Sequence, residues 1–189
     1  MEFANVWFGG GVAFAQAAPL FLAGSEVRLL GACHMSTVWQ QPSFGGGPVI
    51  MGQGSVWLDP MLTTATAGVA PFGPMINVTV REMPVVAADT GGPLGNAFAT
   101  LAGPSNGVGV LFLGLPGPAL VLPGWSTAIV LLPGSENLQA QGSLAMPLTA
   151  SYTVPPHPLL QGVSVTWQGA SIDPVHGAQI SNGVTYVHY

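Results

Sequence analysis

Residues 103–114 read GPSNGVGVLFLG, and residues 179–189 read QISNGVTYVHY. Each segment places a Ser-Asn-Gly turn signal directly before a short run rich in β-branched and other apolar residues. Between them, Leu-Pro-Gly occurs at residues 115–117, 122–124 and 132–134, a pattern that marks strand ends. Turn signals at this density, without a convincing 3.6-residue period in any long window, predict an all-β fold. We expect an antiparallel β-sandwich or jelly-roll-like arrangement with little or no helix.

The clearest apolar–polar alternation lies in residues 76–81 and 163–168. Alternate residues of a strand point to opposite faces, so both segments predict strands with one buried and one wet face. Residues 63–73 are small and polar and predict a linker or long loop. We therefore expect an N-terminal β segment over residues 1–74 and a β-sandwich domain over residues 75–189. One continuous β domain is the alternative.

The composition narrows the classes of partner. Charged residues make up 5% of the 189 residues, the net charge is −5, and lysine is absent. Without a basic stripe the chain is not expected to bind nucleic acid or anionic membrane surfaces. The apolar run 3–23 is broken by three glycines and a proline, so we expect no membrane insertion. A single cysteine, Cys33, excludes an intramolecular disulfide and leaves an intermolecular one as a minority alternative.

Residues 11–18 (GVAFAQAA) resemble the end of a signal peptide, but the start MEFAN lacks the positively charged segment that precedes one. We interpret the chain as mature protein. The expected location is extracellular or at the cell surface.

The order of features from about residue 75 to 189 resembles a C-terminal β domain of secreted planctomycete-type proteins. The matching elements are Gly92-Pro93-Leu94-Gly95, Val110-Leu111-Phe112-Leu113-Gly114, Val154-Pro155-Pro156, Leu160-Gln161-Gly162 through Gln168, Asp173-Pro174 and Ser181-Asn182-Gly183. The resemblance covers about 60% of the chain and implies a secreted β domain. It implies no activity and no site residue. The cysteine of that domain's central part is missing, since Cys33 lies outside the matched region.

One motif suggests a hydrolase. Residues 103–107 fit Gly-x-Ser-x-Gly around Ser105, and Asp173 with His176 or His188 follow in the order Ser, Asp, His. A nucleophile elbow leads from a strand into a helix, whereas Gly107 leads into a predicted strand, so we interpret Ser105 as a turn residue. The carboxylates that could form a glycosidase pair, Glu82 and Asp89 or Asp173, are expected to be solvated turn residues. We predict no catalytic residue and no enzyme.

Metal-binding patterns are equally weak. Asp173 and His176 are three residues apart in a predicted turn, and His157 and His188 cannot be placed beside them from the sequence. Cys33-His34-Met35 contains soft-metal ligand types, but neighbours in a strand point to opposite faces. We therefore predict no metal and no other cofactor.

Aromatic side chains suggest a second kind of site. Trp125 follows Pro123-Gly124 in a predicted loop and is the best candidate for an exposed ring that stacks on a sugar. Trp57 and Trp167 lie in predicted strands, where core packing is the expected role. The function that this pattern supports is a carbohydrate-binding or adhesion module.

The leading functional hypothesis is a structural, self-assembling extracellular protein, such as the subunit of a filament, fibre or surface layer. A chain with so few charges has little colloidal stability as a monomer, and assembly would bury its surface. The N-terminal arm 3–14 could complete the sheet of a neighbouring copy by strand exchange. Its apolar residues are the candidate assembly residues: Phe3, Val6, Trp7, Phe8, Val12 and Phe14. The alternatives are the carbohydrate-binding module at Trp125, with a polysaccharide as partner, and a small hydrolase.

Overall fold

The structure, a computed structural model, describes residues 2–4, 7–8, 20–30, 34–36, 50–60, 63–65, 71–92, 96–123, 125 and 127–189. In these residues it contains strands, turns, loops and a single 3₁₀ turn at Pro158–Leu160, with no α-helix. The predicted all-β class is confirmed. The chain divides into two compact units, Met1–Glu82 and Met83–Tyr189.

The strands of the N-terminal unit alternate between two parallel sheets. They are β1 (Glu2–Ala4), β2 (Trp7–Phe8), β3 (Leu20–Leu30), β4 (His34–Ser36), β5 (Ile50–Leu58), β6 (Thr63–Ala65) and β7 (Ile76–Val80). One sheet has the order β1-β3-β5-β7 and the other β2-β4-β6. Their pairings are parallel. The described part of this unit is a β-solenoid, in which each passage of the chain adds one strand to each sheet.

Matching apolar residues stack along the solenoid in ladders. Val27 pairs with Val56, and Leu29 pairs with Leu58; all four side chains are buried. Partners in register point to the same side of a parallel sheet, so these ladders form the core of the unit. The buried cluster consists of Leu22, Val27, Leu29, Ile50, Val56, Leu58 and Ile76.

The boundary between the units falls after Glu82, not after residue 74 as the sequence suggests. The reason is the pairing of β7, which joins β5 through Val56 and Val78 and so belongs to the solenoid. Alternation identifies the buried face of a strand, but it is the same for parallel and antiparallel partners. The sequence pattern therefore could not show that the sheets of this unit are parallel.

The two basic side chains of the protein both lie against Trp57. The guanidinium carbons of Arg28 and Arg81 are 4.7 and 3.7 Å from the centre of the Trp57 ring. Arg28 also donates to the Glu26 carboxylate, with Nε 2.7 Å from Oε1. Each cation–π contact contributes about 0.5–2 kcal/mol. The core position expected for Trp57 is wrong, because its ring is half-buried and covered by arginine.

The C-terminal unit is an antiparallel sandwich. Its strands are β8 (Val85–Ala88), β9 (Gly91–Gly92), β10 (Asn96–Ala102), β11 (Val108–Gly114), β12 (Pro116–Leu120), β13 (Ile129–Leu131), β14 (Asn137–Ser143), β15 (Leu148–Thr153), β16 (Ser164–Asp173) and β17 (Gly177–His188). One sheet has the order β15-β10-β8, a second β14-β11-β16-β17-β9, and β12 pairs with β13. All pairings are antiparallel except β17 with β9.

The core of this unit lies between its two larger sheets. Trp167 of β16 is fully buried there, as predicted, and belongs to one cluster with Leu101 of β10 and Leu111 of β11. The opposite face of β16 is covered by the β12–β13 pair. Gln168 fixes that cover, since its Nε2 donates to the Ala128 carbonyl (2.8 Å) and its Oε1 accepts the Val130 N–H (2.9 Å). The face of β16 that was predicted to be wet is therefore buried at Gln168, although Ile172 near the end of the strand is exposed.

The second Ser-Asn-Gly signal is not a turn. Ser181, Asn182 and Gly183 lie inside β17, at a register shift opposite Gly169. Ser181 Oγ accepts the Gly169 N–H (2.8 Å). Asn182 bonds both backbone groups of Val86, through Oδ1 to the N–H and Nδ2 to the carbonyl, each at 2.9 Å. The prediction fails because these side chains satisfy the backbone at a β-bulge, where turn-forming residues are also favoured.

Candidate functional site

The candidate assembly residues lie only partly within the described chain. Phe3 is in β1 and pairs in register with Leu29, while Trp7 and Phe8 form β2 and pair with β4. The described strands of the arm thus pair with strands of their own chain. Val6, Val12 and Phe14 lie outside the described residues.

The solenoid ladders end in exposed valines. Val78 continues the Val27–Val56 ladder, and Val80 continues the ladder of Leu58. The ladder residues in β3 and β5 are buried, but Val78 is 43% and Val80 is 62% exposed. Both valines occupy the face of β7 that the preceding strands bury, so the C-terminal half of β7 presents an uncovered core face. We call Val78 and Val80 the open end of the solenoid.

The sequence predicts part of the open end of the solenoid. Alternation places Val78 and Val80 on one face of a strand, and that face was expected to be buried. The position of β7 as an outer strand of its sheet depends on pairing across distant parts of the chain. No local pattern reports it.

The Ser105 motif forms a turn, as predicted. The Gly107 N–H donates to the Pro104 carbonyl (2.8 Å), and Ser105 is exposed at the tip. The turn joins β10 to β11, and Gly107 is followed by a strand. A nucleophile elbow leads into a helix instead.

Asp173 is buried at the turn between β16 and β17. Its Oδ1 accepts the backbone N–H of Val175 (2.9 Å) and of His176 (2.8 Å) and lies 3.1 Å from His176 Nδ1. Its Oδ2 accepts the Gln179 side-chain amide (3.2 Å). The expectation of a solvated turn carboxylate is wrong, because the turn folds Asp173 inward onto these donors. The arrangement holds the β16–β17 turn together.

Burial alone raises the pKa of Asp173. Hydrogen bonds from the backbone of His176 and Val175 and from Gln179, with the charge of His176, more than offset it, so the pKa lies below its ordinary value of 3.8. A carboxyl whose pKa is lower in the folded state stabilises the fold above its unfolded pKa. That stability is lost as pH falls through the folded pKa.

We therefore expect Asp173→Asn to destabilise the C-terminal unit by about 2 kcal/mol at neutral pH, since hydrogen bonds to a charged group are lost. The difference from the wild type should shrink below pH 3.8. Urea unfolding at pH 7 and at pH 2–3 measures it, with the exposed Glu136→Gln as the matched control. A pH-independent difference would contradict the role of the Asp173 charge.

The other candidates do not converge on a site. Trp125 is half-buried, less exposed than the sequence suggested. Asp89 accepts the Phe98 N–H (2.8 Å). Across the described ranges, no three His, Cys, Asp or Glu residues are grouped to hold a metal ion. Cys33 lies outside these ranges.

In the described residues, no helix has the length and apolar character needed to cross a membrane.

The sequence matches no family model and no curated protein. The resemblance of residues 75–189 to the secreted planctomycete-type domain therefore stays a prediction.

Proposed function

We propose that the chain is a structural protein of the cell exterior or cell surface that assembles with copies of itself through the open end of the solenoid. The observation that carries the proposal is the exposure of Val78 and Val80 on a face that β3 and β5 bury. Terminal repeats of a solenoid usually carry a polar outer face, because an uncovered ladder is insoluble. The apolar face of the terminal strand β7 instead favours the addition of a further strand beside it.

Two physical effects favour addition at β7. An outer strand presents unpaired N–H and carbonyl groups, which pair with a strand of another chain. Burying the two valines adds hydrophobic stabilisation in proportion to the area removed from water. With 5% charged residues, repulsion between copies is also weak.

The strand that we propose to add is β1 of another copy. In its own chain β1 pairs in parallel with β3, and Phe3 lies in register with Leu29, the start of the ladder that ends at Val80. The same register on a neighbouring β7 would continue this ladder from Val80 to Phe3. One end of a copy then meets the opposite end of the next, a heterologous contact that builds open filaments.

The edge is tested by the double variant Val78→Lys/Val80→Lys. Two charges on an edge strand oppose strand addition. We expect the wild type to show species that grow with concentration in sedimentation velocity, and the variant to sediment as a monomer under the same conditions. The matched control is Val121→Lys/Met146→Lys, which adds the same charge at two exposed apolar residues outside strands.

A mixing experiment distinguishes an end-to-end contact from general solubility. The double variant keeps an unaltered β1, so it should add to wild-type ends and stop growth there. Sub-stoichiometric variant should therefore shorten wild-type assemblies. If the control variant disperses the protein equally, or if the wild type is monomeric at all concentrations, the proposal fails.

A further inference from the structure

A small cavity lies in the C-terminal unit beside the end of β17. Its volume is about 190 Å³, and it is lined by Val154, Pro155, Pro156, His157, Pro158, Leu160, Gln161, His188 and Tyr189. An apolar cavity of about 150 Å³ holds one benzene molecule. The cavity is therefore the size of one six-membered ring with small substituents.

Hydrogen bonds hold the lining in place. The Gly162 N–H donates to the His188 carbonyl (2.8 Å), and the His188 N–H donates to the Val163 carbonyl (3.1 Å). The ring of His188 is fixed as well, since its Nδ1 lies 2.6 Å from the Val163 carbonyl. The segment that follows β15 is thus tied to the end of β17, and the cavity needs no rearrangement to form.

The lining combines flat apolar surfaces with a few polar groups. Three prolines and Tyr189, which is 67% exposed, contribute apolar surface to the lining. His157 Nδ1 accepts the Leu159 N–H (3.2 Å), which leaves Nε2 as the N–H donor of this ring. Gln161 has both a donor and an acceptor. No Asp, Glu, Lys or Arg is among the lining residues.

We propose that this cavity binds a neutral pyranose ring. Pockets that bind small ligands are mostly apolar, with a few polar groups that fix orientation. A pyranose ring complements such a pocket, because its C–H faces are apolar and its hydroxyl groups lie at the rim. The lining contains no Lys or Arg, so it offers no permanent cation for the carboxylate of a uronic or sialic acid. The site lies apart from Trp125 and is independent of self-association.

The test is saturation-transfer-difference NMR on the full chain. The probes are the methyl glycosides of glucose, galactose and N-acetylglucosamine, with glucuronic acid and phenol as comparison ligands. We expect signals from the C–H protons of at least one neutral glycoside and none from glucuronic acid. Tyr189→Ala should abolish the glycoside signal, Gln161→Ala should reduce it, and Trp125→Ala should leave it unchanged.

Three results would overturn the proposal. They are no signal from any neutral glycoside, signals from phenol alone, and glycoside signals that survive Tyr189→Ala. Circular dichroism of the Tyr189→Ala protein checks its fold. If that variant is unfolded, Gln161→Ala, at an exposed residue, decides, and an unchanged glycoside signal with it rejects the site.

Discussion

Replacing Trp167 by alanine is expected to destabilise the C-terminal unit by about 3–5 kcal/mol, the usual cost of deleting a large buried aromatic ring. Trp167 is fully buried between the two larger sheets of the sandwich, where it packs in one cluster with Leu101 and Leu111. Domains are stable by about 5–15 kcal/mol. The variant should therefore lose much of its unfolding free energy in urea, followed by circular dichroism.

The matched control is Trp167→Phe. The indole Nε1 of Trp167 is buried without a hydrogen-bond partner among the described residues, and an unsatisfied buried donor costs about 1–3 kcal/mol. Phenylalanine keeps most of the ring and removes that donor, so we expect a far smaller loss, about 1 kcal/mol or less. Equal losses in the two variants would contradict the assignment of the ring to the core.

Gly52→Ala is expected to disrupt the solenoid, with a cost of roughly 2–6 kcal/mol from backbone strain and overpacking together. Gly52 lies in β5 with φ +90°, a left-handed value that side chains rarely adopt. A Cβ at this position would also overlap the carbonyl oxygen of Leu22, its partner in β3. Because that atom is backbone, the two strands would have to separate.

Gly24→Ala separates these two effects. Gly24 also has a left-handed φ, +71°, but nothing lies within 4 Å of its added Cβ. It should therefore show the strain alone, about 1–2 kcal/mol. Hydrogen exchange of β3 and β5 measures both variants. If Gly52→Ala costs no more than Gly24→Ala, the close approach of the two strands in the structure is wrong.

The sequence predicts the sandwich well because its information there is local. Turn signals and alternating runs identify the strands, and the periodicity of residues 163–168 correctly places Trp167 inside. Pairing is not local. Ser181-Asn182-Gly183 looks like a turn, yet it is a bulge whose side chains bond Gly169 and Val86, residues that lie far away in the sequence.

The candidate sites show the same division. Phe3 and the other residues of the arm stand out as an apolar run, but the open end at Val78 and Val80 exists only because β7 is an outer strand. Asp173 was expected to be solvated because it precedes a proline in a turn. The sequence pattern of such a turn does not determine which way the carboxylate points. The cavity at Tyr189 is lined by the segment after β15 and by the end of β17. These two segments are too far apart in the sequence for a local pattern to predict the cavity.

Hydrogen–deuterium exchange of the amides of Ile76–Val80, measured on dilute and concentrated protein, tests the assembly most directly. If β1 of another copy pairs with β7, the outward amides of β7 should become protected as concentration rises. The same amides in the Val78→Lys/Val80→Lys variant should exchange at one rate throughout. Assemblies that grow while these amides keep their dilute exchange rate would contradict association through the open end of the solenoid.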